Sequence, residues 1–199
     1  MILCDDIISY LDINYNYKNT LSKLSSNPKI KDQTEAYDYD KIKDNIYKSC
    51  RSVDALLIKR NLNLIEFKTG FDSNLDSVNE KVKKENLALS IRLKAYESLH
   101  LLQTAIIDEI SDSDKLSDKI KIVFCAVIDT NEPIVAEDAY VDILSDEGGF
   151  QENKSLKVKI AEDVMKIYRK ETNKHKKLFY DDAFVLYDYE FDKKITKFK

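Results

Sequence analysis

The chain contains 199 residues, 43% of them hydrophobic and 34% charged, which is the balance of a globular protein and excludes a disordered one. Its formal net charge is −4, so a protein that is basic over its whole surface is excluded, and any nucleic-acid site must be a local patch. Three cysteines occur without a Cys-x-x-Cys pair, so no zinc or iron–sulfur site is expected.

The same composition gives an expectation for location. No apolar run approaches the roughly 20 residues of a membrane span, so we expect no membrane partner. The start of the chain contains Asp5 and Asp6 and lacks the basic stretch of a signal peptide. Scattered cysteines fit reduced thiols. We therefore expect a cytoplasmic protein, and the many Asn, Lys, Ile and Asp residues suggest a bacterial or phage source.

The first elements in the chain are predicted to be helices. Short helices are expected at residues 2–11 and 17–24, and a longer one begins at Thr34, a residue type that caps helices. The apolar residues of this third helix lie three and four apart: Tyr39, Ile42 and Ile46. Glu35 falls at the N-terminal end of the same inward-facing stripe.

Residues 52–70, SVDALLIKRNLNLIEFKTG, predict a β-hairpin of two apolar strands that carry unexpected charges. Asp54 lies near the start of the first strand. Glu66 and Lys68 lie near the end of the second strand and flank Phe67. These charged side chains interrupt two runs that otherwise favour a buried strand, so they are candidates for a functional site.

The register of the hairpin decides whether the charges meet, because side chains alternate between the faces of a strand. A loop of three residues, 59–61, places Asp54 opposite Glu66. A loop of two residues instead places Asp54 opposite Phe67, on the wrong face. Asn61 at the last loop position suits the left-handed backbone that a three-residue loop needs, which favours the first register.

After the hairpin the pattern predicts a helix, a strand and a C-terminal region that divides by charge. Residues 78–110 have a helical stripe, and residues 119–128 form a strand apolar enough to be central. Residues 129–153 contain eight acidic residues and no Lys or Arg. Residues 154–177 predict an amphipathic helix with a basic outer face, and residues 183–192 a late strand. In the helices, His100 is expected at the edge of the core and His175 is expected to be exposed.

The spacing Asp54-x11-Glu66-x-Lys68 on a hairpin resembles the motif of the PD-(D/E)XK nuclease superfamily. The run from Glu66 to Gly70, EFKTG, is most similar to its RecB-like exonuclease branch. The resemblance implies an α/β fold with a restriction-endonuclease-like core of helix, hairpin, long helix and strand. On this interpretation residues 1–199 form one nuclease-like domain, with the core at about 34–128 and a C-terminal elaboration at about 129–199.

This motif has a chemical interpretation as a metal-dependent nuclease that acts on nucleic acid, with DNA as the first expectation. Asp54, Glu66 and the carbonyl of Phe67 are the oxygen donors that Mg²⁺ or Mn²⁺ would bind, and Lys68 would assist the attacking water. The resemblance adds a Glu from the preceding helix, for which Glu35 is the candidate ahead of Asp38 and Asp44. The biological setting expected for such an enzyme is bacterial or phage recombination, repair or defence.

The resemblance also implies a Gln-x-x-x-Tyr pattern on the helix after the hairpin. Here that position has Arg92 and Tyr96, which share a helix face and are candidates for nucleic-acid contact together with Lys166, Arg169 and Lys170. In this pattern Arg stands in place of Gln.

Each candidate also has a structural interpretation. Glu66 and Lys68 would then lie on a solvated hairpin face, Glu35 would only favour the helix dipole, and Tyr96 would be a core residue beside an exposed Arg92. An inactive nuclease-fold binding module, or a partner subunit of a defence or phage complex, is the alternative function. A homodimer or another protein partner, and RNA as the substrate, also stay open.

Overall fold

A computed structural model describes residues 1–68, 80–110, 115–129 and 156–197. The helices are α1 (Cys4–Asn14), α2 (Leu21–Leu24), α3 (Tyr39–Ile46), α4 (Glu80–Leu102), α5 (Asp108–Ile110), α6 (Leu156–Leu178) and α7 (Asp188–Lys194). The strands are β1 (Lys18–Thr20), β2 (Glu35–Asp38), β3 (Ala55–Ile58), β4 (Leu62–Lys68), β5 (Ile122–Ile128) and β6 (Asp182–Tyr187). A π-helical turn (Gln103–Ile107) joins α4 to α5, and a 3-10 turn (Ile195–Lys197) follows α7.

The strands form one mixed sheet of six, in the order β1-β2-β3-β4-β5-β6. The first four strands pair antiparallel, and β4, β5 and β6 pair parallel. Because parallel neighbours need a crossover, α4 connects β4 to β5 and α6 connects β5 to β6. The α/β class expected from the sequence is therefore confirmed.

The two faces of the sheet bury separate apolar clusters. On one face, Leu62, Leu64 and Phe124 pack with inward residues of α4 and α6, such as Ala95 and Met165. The other face packs against α2 and α7, with Ile65, Cys125 and Phe191 in its cluster. Strand β4 is buried on both faces, as expected for a central strand, so a charged side chain there is costly unless it is paired.

The helix predicted at 78–110 is present from residue 80 as α4, the π-helical turn and α5. The strand predicted at 119–128 begins at Ile122. The predicted helix at 154–177 corresponds to α6, whose described side chains bury Val164 and Tyr168. The acidic segment 129–153 lies outside the described residues except for Asp129, and Thr69 and Gly70 also lie outside them.

Two N-terminal predictions are wrong. The predicted helix at 17–24 is β1 followed by the single turn α2, and the helix predicted from Thr34 begins only at Tyr39. The residues between form β2, which pairs with β1 and β3, so tertiary pairing overrides the local helical pattern. Asp38 is the real N-cap, and its carboxylate accepts the N–H of Lys41.

The strand predicted at 183–192 is only partly correct. Strand β6 ends at Tyr187 and the chain continues as α7. The side chain of Glu190 turns back to accept the N–H of Tyr187, which satisfies a free amide at the start of the helix. A side-chain cap of this kind competes directly with continued strand pairing.

Candidate functional site

The hairpin adopts the three-residue turn that the sequence favours. Ile58 pairs with Leu62, and the N–H of Lys59 donates to the carbonyl of Asn61 at 3.1 Å. The ladder continues in this register to the pair of Ala55 with Ile65. The next residues along the two strands are Asp54 and Glu66, so the register brings these two carboxylates side by side.

Asp54 lies just beyond the end of the ladder and is held there by hydrogen bonds. Its N–H donates to the carbonyl of Ile65 at 3.1 Å, and its own carbonyl accepts the N–H of Tyr39. The N–H of Phe67 donates to the Asp54 carboxylate. The peptide group of Phe67 therefore fixes the Asp54 side chain against the edge of β4.

Glu66 is almost fully buried, with 2% of its surface exposed. By alternation along β4 it shares the face of Leu62 and Leu64, which is the face that packs against α4. The ammonium of Lys94, in α4, donates a hydrogen bond to Glu66 Oε2 at 2.7 Å. A buried carboxylate in the middle of the sheet thus has a partly buried ammonium as its counter-ion.

The acidities of the two carboxyl groups reflect this crowding. Burial, together with the neighbouring charge of Asp54, raises the pKa of Glu66 to about 8, and Lys94 opposes that rise. Burial also raises the pKa of Asp54, against the opposing effects of Lys94 and the Phe67 N–H. Burial lowers the pKa of Lys94, but the charges of Glu66 and Asp54 outweigh it and the net shift is upward.

A third carboxylate comes from Asp40 in the first turn of α3. Its charge raises the pKa values of both Asp54 and Lys94, which places it near them. The hydroxyl of Ser52 donates to Asp40 Oδ1 and fixes that carboxylate beside the first strand of the hairpin. The helix before the hairpin therefore does contribute an acid to this cluster.

That acid is not Glu35. Glu35 is an exposed residue of β2 paired with Thr20 at the edge of the sheet. The register of β2 against β3 places it beside Ile58, four residues from Asp54, or about 13 Å along the strand. The structure therefore does not bring Glu35 to the cluster, because the chain at this point is a strand and its helix begins later.

Lys68 follows Glu66 by two residues and so lies on the same face of β4. It is half-buried, and its charge lowers the pKa of Glu66. Tyr168 of α6 is buried on the same face of the sheet, and burial and the nearby Glu66 and Asp54 charges raise its pKa. The cluster thus has two ammonium groups, Lys68 and Lys94, and an aromatic wall from α6.

The carbonyl of Phe67 lies on the side of β4 that faces Asp54. Lys68 uses its carbonyl to accept the N–H of Asp129, so its peptide groups face β5. Successive residues of a strand direct their N–H and C=O groups to opposite sides, so those of Phe67 face β3. Since β3 begins only at Ala55, no β3 residue pairs with Phe67 in the ladder.

The residues present suit a hard divalent cation that retains water. In the described part of the chain no group of three or more His, Cys, Asp or Glu side chains is arranged to hold a metal ion. Asp54, Glu66 and the Phe67 carbonyl supply oxygen only. Mg²⁺ is commonly bound by one or two carboxylates and keeps several waters, so this donor set fits it.

Arg92 and Tyr96 lie on the flank of α4 that faces α6. The Arg92 guanidinium donates from Nε to Glu171 Oε2 at 2.6 Å and its side chain is half exposed. Tyr96 is 52% exposed, so the alternative expectation that it is a core residue is wrong. Lys166, Arg169 and Lys170 are exposed on α6, as the basic outer face predicts.

The sequence patterns did not identify Lys94 or Asp40 as candidate site residues. A signal for Lys94 exists, because it lies three residues after the buried Ile91 and four before the buried Ser98 on the inward side of α4. Asp40 carries no such signal. Its position depends on the true start of α3, which the sequence pattern places five residues too early.

No family model, curated protein or solved structure matches this chain. In addition, none of the helices in the described residues is long and apolar enough to cross a membrane.

Proposed function

We propose that this protein is a metal-dependent nuclease that hydrolyses phosphodiester bonds, most readily in DNA. The observation that carries the proposal is the pair formed by the half-buried Asp54 and the buried Glu66, set side by side by the hairpin register with Lys68 on the same face. A buried carboxylate beside a second acid is costly to maintain, and such groups concentrate at functional sites. The order of α3, hairpin, α4 and parallel β5 is compatible with a restriction-endonuclease-like core.

In this proposal Asp54, Glu66 and the Phe67 carbonyl hold Mg²⁺ or Mn²⁺. When bound, such a cation offsets phosphate charge and lowers the pKa of coordinated water. The Phe67 N–H and Ser52 keep the Asp54 and Asp40 carboxylates in place. Lys68 places a positive charge beside Glu66, where it can stabilise the charge that develops on the phosphate.

The basic surface of α6 supports a nucleic-acid substrate. Lys166, Arg169 and Lys170 are exposed on one side of the helix, and Arg92 and Tyr96 lie on the adjacent flank of α4. The net charge of the chain is negative, so this local concentration of cations is the kind of patch that phosphate binding requires.

The test is a cleavage assay on linear, circular and single-stranded DNA with Mg²⁺, Mn²⁺ or EDTA. Wild type is expected to cleave with metal and not with EDTA. Glu66→Gln and Lys68→Ala are each expected to lower the rate by about 100-fold or more, because they remove a ligand and a charge at the reacting phosphate.

Two exposed residues in the turn before β5 provide matched controls. Asp118→Asn and Lys119→Ala make the same kinds of charge change at the opposite, amino-terminal end of β5, and should keep the wild-type rate. Cleavage that persists in Glu66→Gln and Lys68→Ala would overturn the proposal. RNA in the same assay identifies a preference for that substrate.

A second candidate is an inactive binding module that keeps the nuclease fold, as a subunit of a larger complex. The contact of Lys94 with Glu66 favours it, because an ammonium already neutralises the carboxylate that a metal would need. Calorimetric titration with Mn²⁺ separates the two. Binding that is lost in Glu66→Gln supports the nuclease, and no binding in wild type supports the module.

A further inference from the structure

A group of exposed aromatic rings lies where α4 meets the end of α6. Tyr96 is 52% exposed and Phe179 is 44% exposed, although both are large apolar side chains. Their rings meet edge to face with centroids 5.8 Å apart. The ring of the exposed His100 lies parallel to that of Tyr96, with centroids 6.3 Å apart and 4° between the planes. The rings of Tyr96, His100 and Phe179 thus form one surface, which we call the aromatic platform.

Cations border the aromatic platform and are held in place by a buried acid. Glu171 is only 3% exposed, and its two carboxylate oxygens accept from Arg92 at 2.6 Å and from Lys174 at 2.8 Å. These contacts lower the pKa of Glu171 against the opposing effect of burial, so its charge persists. The buried carboxylate orders two cationic side chains on the surface beside the platform.

The outer surface of α6 continues this positive charge. Among the described side chains of residues 164–179, every exposed charged one is basic: Lys166, Arg169, Lys170, Lys174 and Lys176. The acid in the same stretch, Glu171, is buried. A polyanion that lies along α6 therefore meets a row of cations and then reaches the aromatic platform.

We propose that the aromatic platform binds unpaired bases of a single-stranded nucleic acid, whose phosphates follow the basic face of α6. The reason is chemical. Exposed rings offer stacking surfaces to any base, but the bases of a duplex are already stacked and cannot use them. The inference builds on the nucleic-acid substrate of the proposed function and makes it specific, since it predicts single-stranded DNA or a single-stranded end.

Fluorescence anisotropy with a labelled oligothymidylate of about 20 nucleotides tests the inference, with EDTA present to prevent cleavage. Wild type is expected to bind the single strand more tightly than a labelled duplex of the same length. Tyr96→Leu and Phe179→Leu are each expected to weaken single-strand binding by about fivefold to 100-fold, which is the range for loss of one stacked base. Neither change should alter duplex binding.

The matched control is Tyr17→Leu. Tyr17 is 37% exposed just before β1, at the opposite edge of the sheet from β6, so the same loss of an aromatic ring there should leave binding unchanged. Lys174→Ala should reduce the dependence of log affinity on log salt by about one, whereas Lys119→Ala should not. Circular dichroism melting confirms that each surface variant is folded.

The outcomes separate this inference from the nuclease proposal. Equal binding of single strand and duplex, or unchanged binding in Tyr96→Leu and Phe179→Leu, overturns the platform even if wild type cleaves DNA. Platform-dependent binding without any metal-dependent cleavage supports the platform and overturns the nuclease. Absence of nucleic-acid binding in wild type overturns the platform, and a protein partner then becomes the occupant to seek.

Discussion

Two polar side chains are buried on the same face of the sheet, but only one of them has a bonding partner among the described residues. Glu66 of β4 is 2% exposed and bonded to Lys94. His175 of α6 is 5% exposed, lies beside the ring of Phe124, and has no hydrogen-bond partner for either ring nitrogen among the described residues. The register aligns Phe124 with Leu64, two residues from Glu66, so the two sites are close along the sheet.

A buried side chain needs a counter-ion only in its charged form, and this explains the difference between the two sites. A buried ionised carboxylate needs a counter-ion, and α4 supplies one. A histidine can instead lose its proton, and burial lowers the pKa of His175 so that the neutral ring is kept. Burial therefore disfavours the charged form of both groups, but Glu66 has a counter-ion in Lys94, whereas His175 has no hydrogen-bond partner among the described residues.

The largest expected effect comes from removing the counter-ion. Lys94→Met should lower the free energy of unfolding by about 3–5 kcal/mol at about pH 9, where Glu66 is ionised, because it leaves a buried charge unpaired. Urea denaturation with EDTA measures it, and Lys119→Met is the exposed control. In a separate titration without EDTA, saturating Mg²⁺ should recover part of the loss. A loss under 1 kcal/mol would mean that Lys94 is not the counter-ion.

The next effect is the pH dependence of stability caused by Glu66. Its pKa rises from 4.5 to about 8 on folding, so the folded state binds the extra proton between these values. Stability should therefore fall as pH rises through this window, by up to about 1.4 kcal/mol per pH unit. Denaturation of metal-free protein should show that slope in wild type and in the exposed control Glu109→Gln. Glu66→Gln should lose most of it, and a retained slope would assign the proton elsewhere.

The smallest effect is expected at His175. Because burial lowers its pKa below 6.5, its contribution to stability is complete above that pH and is lost as pH falls further. His175→Leu should remove this acid loss and raise the free energy of unfolding by about 1 kcal/mol near pH 7, since an unpaired polar ring is no longer buried. The exposed His100→Leu should change neither. Destabilisation by His175→Leu would reveal a partner for the ring.

Features set by a short stretch of chain could be predicted from the sequence, whereas contacts between distant elements could not. The hairpin register was predictable because one short turn decides it, and alternation then fixes which charges meet. The predicted exposure of His175 is wrong, and so is the expected core-edge place of His100, because neighbouring lysines or leucines do not show which side of a helix meets another helix. The helical placement of Glu35 is wrong because β1 and β3 recruit that segment as a strand.

By itself, the sequence determined the α/β class, the turn of the hairpin, and the placement of Asp54 beside Glu66, because these depend on local periodicity and turn length. Only the tertiary structure decided that Lys94 is the partner of Glu66, that Asp40 joins the cluster in place of Glu35, and that Tyr96 meets Phe179. Each of these contacts joins elements far apart in the chain. Their formation depends on helix packing and strand pairing, which local pattern does not encode.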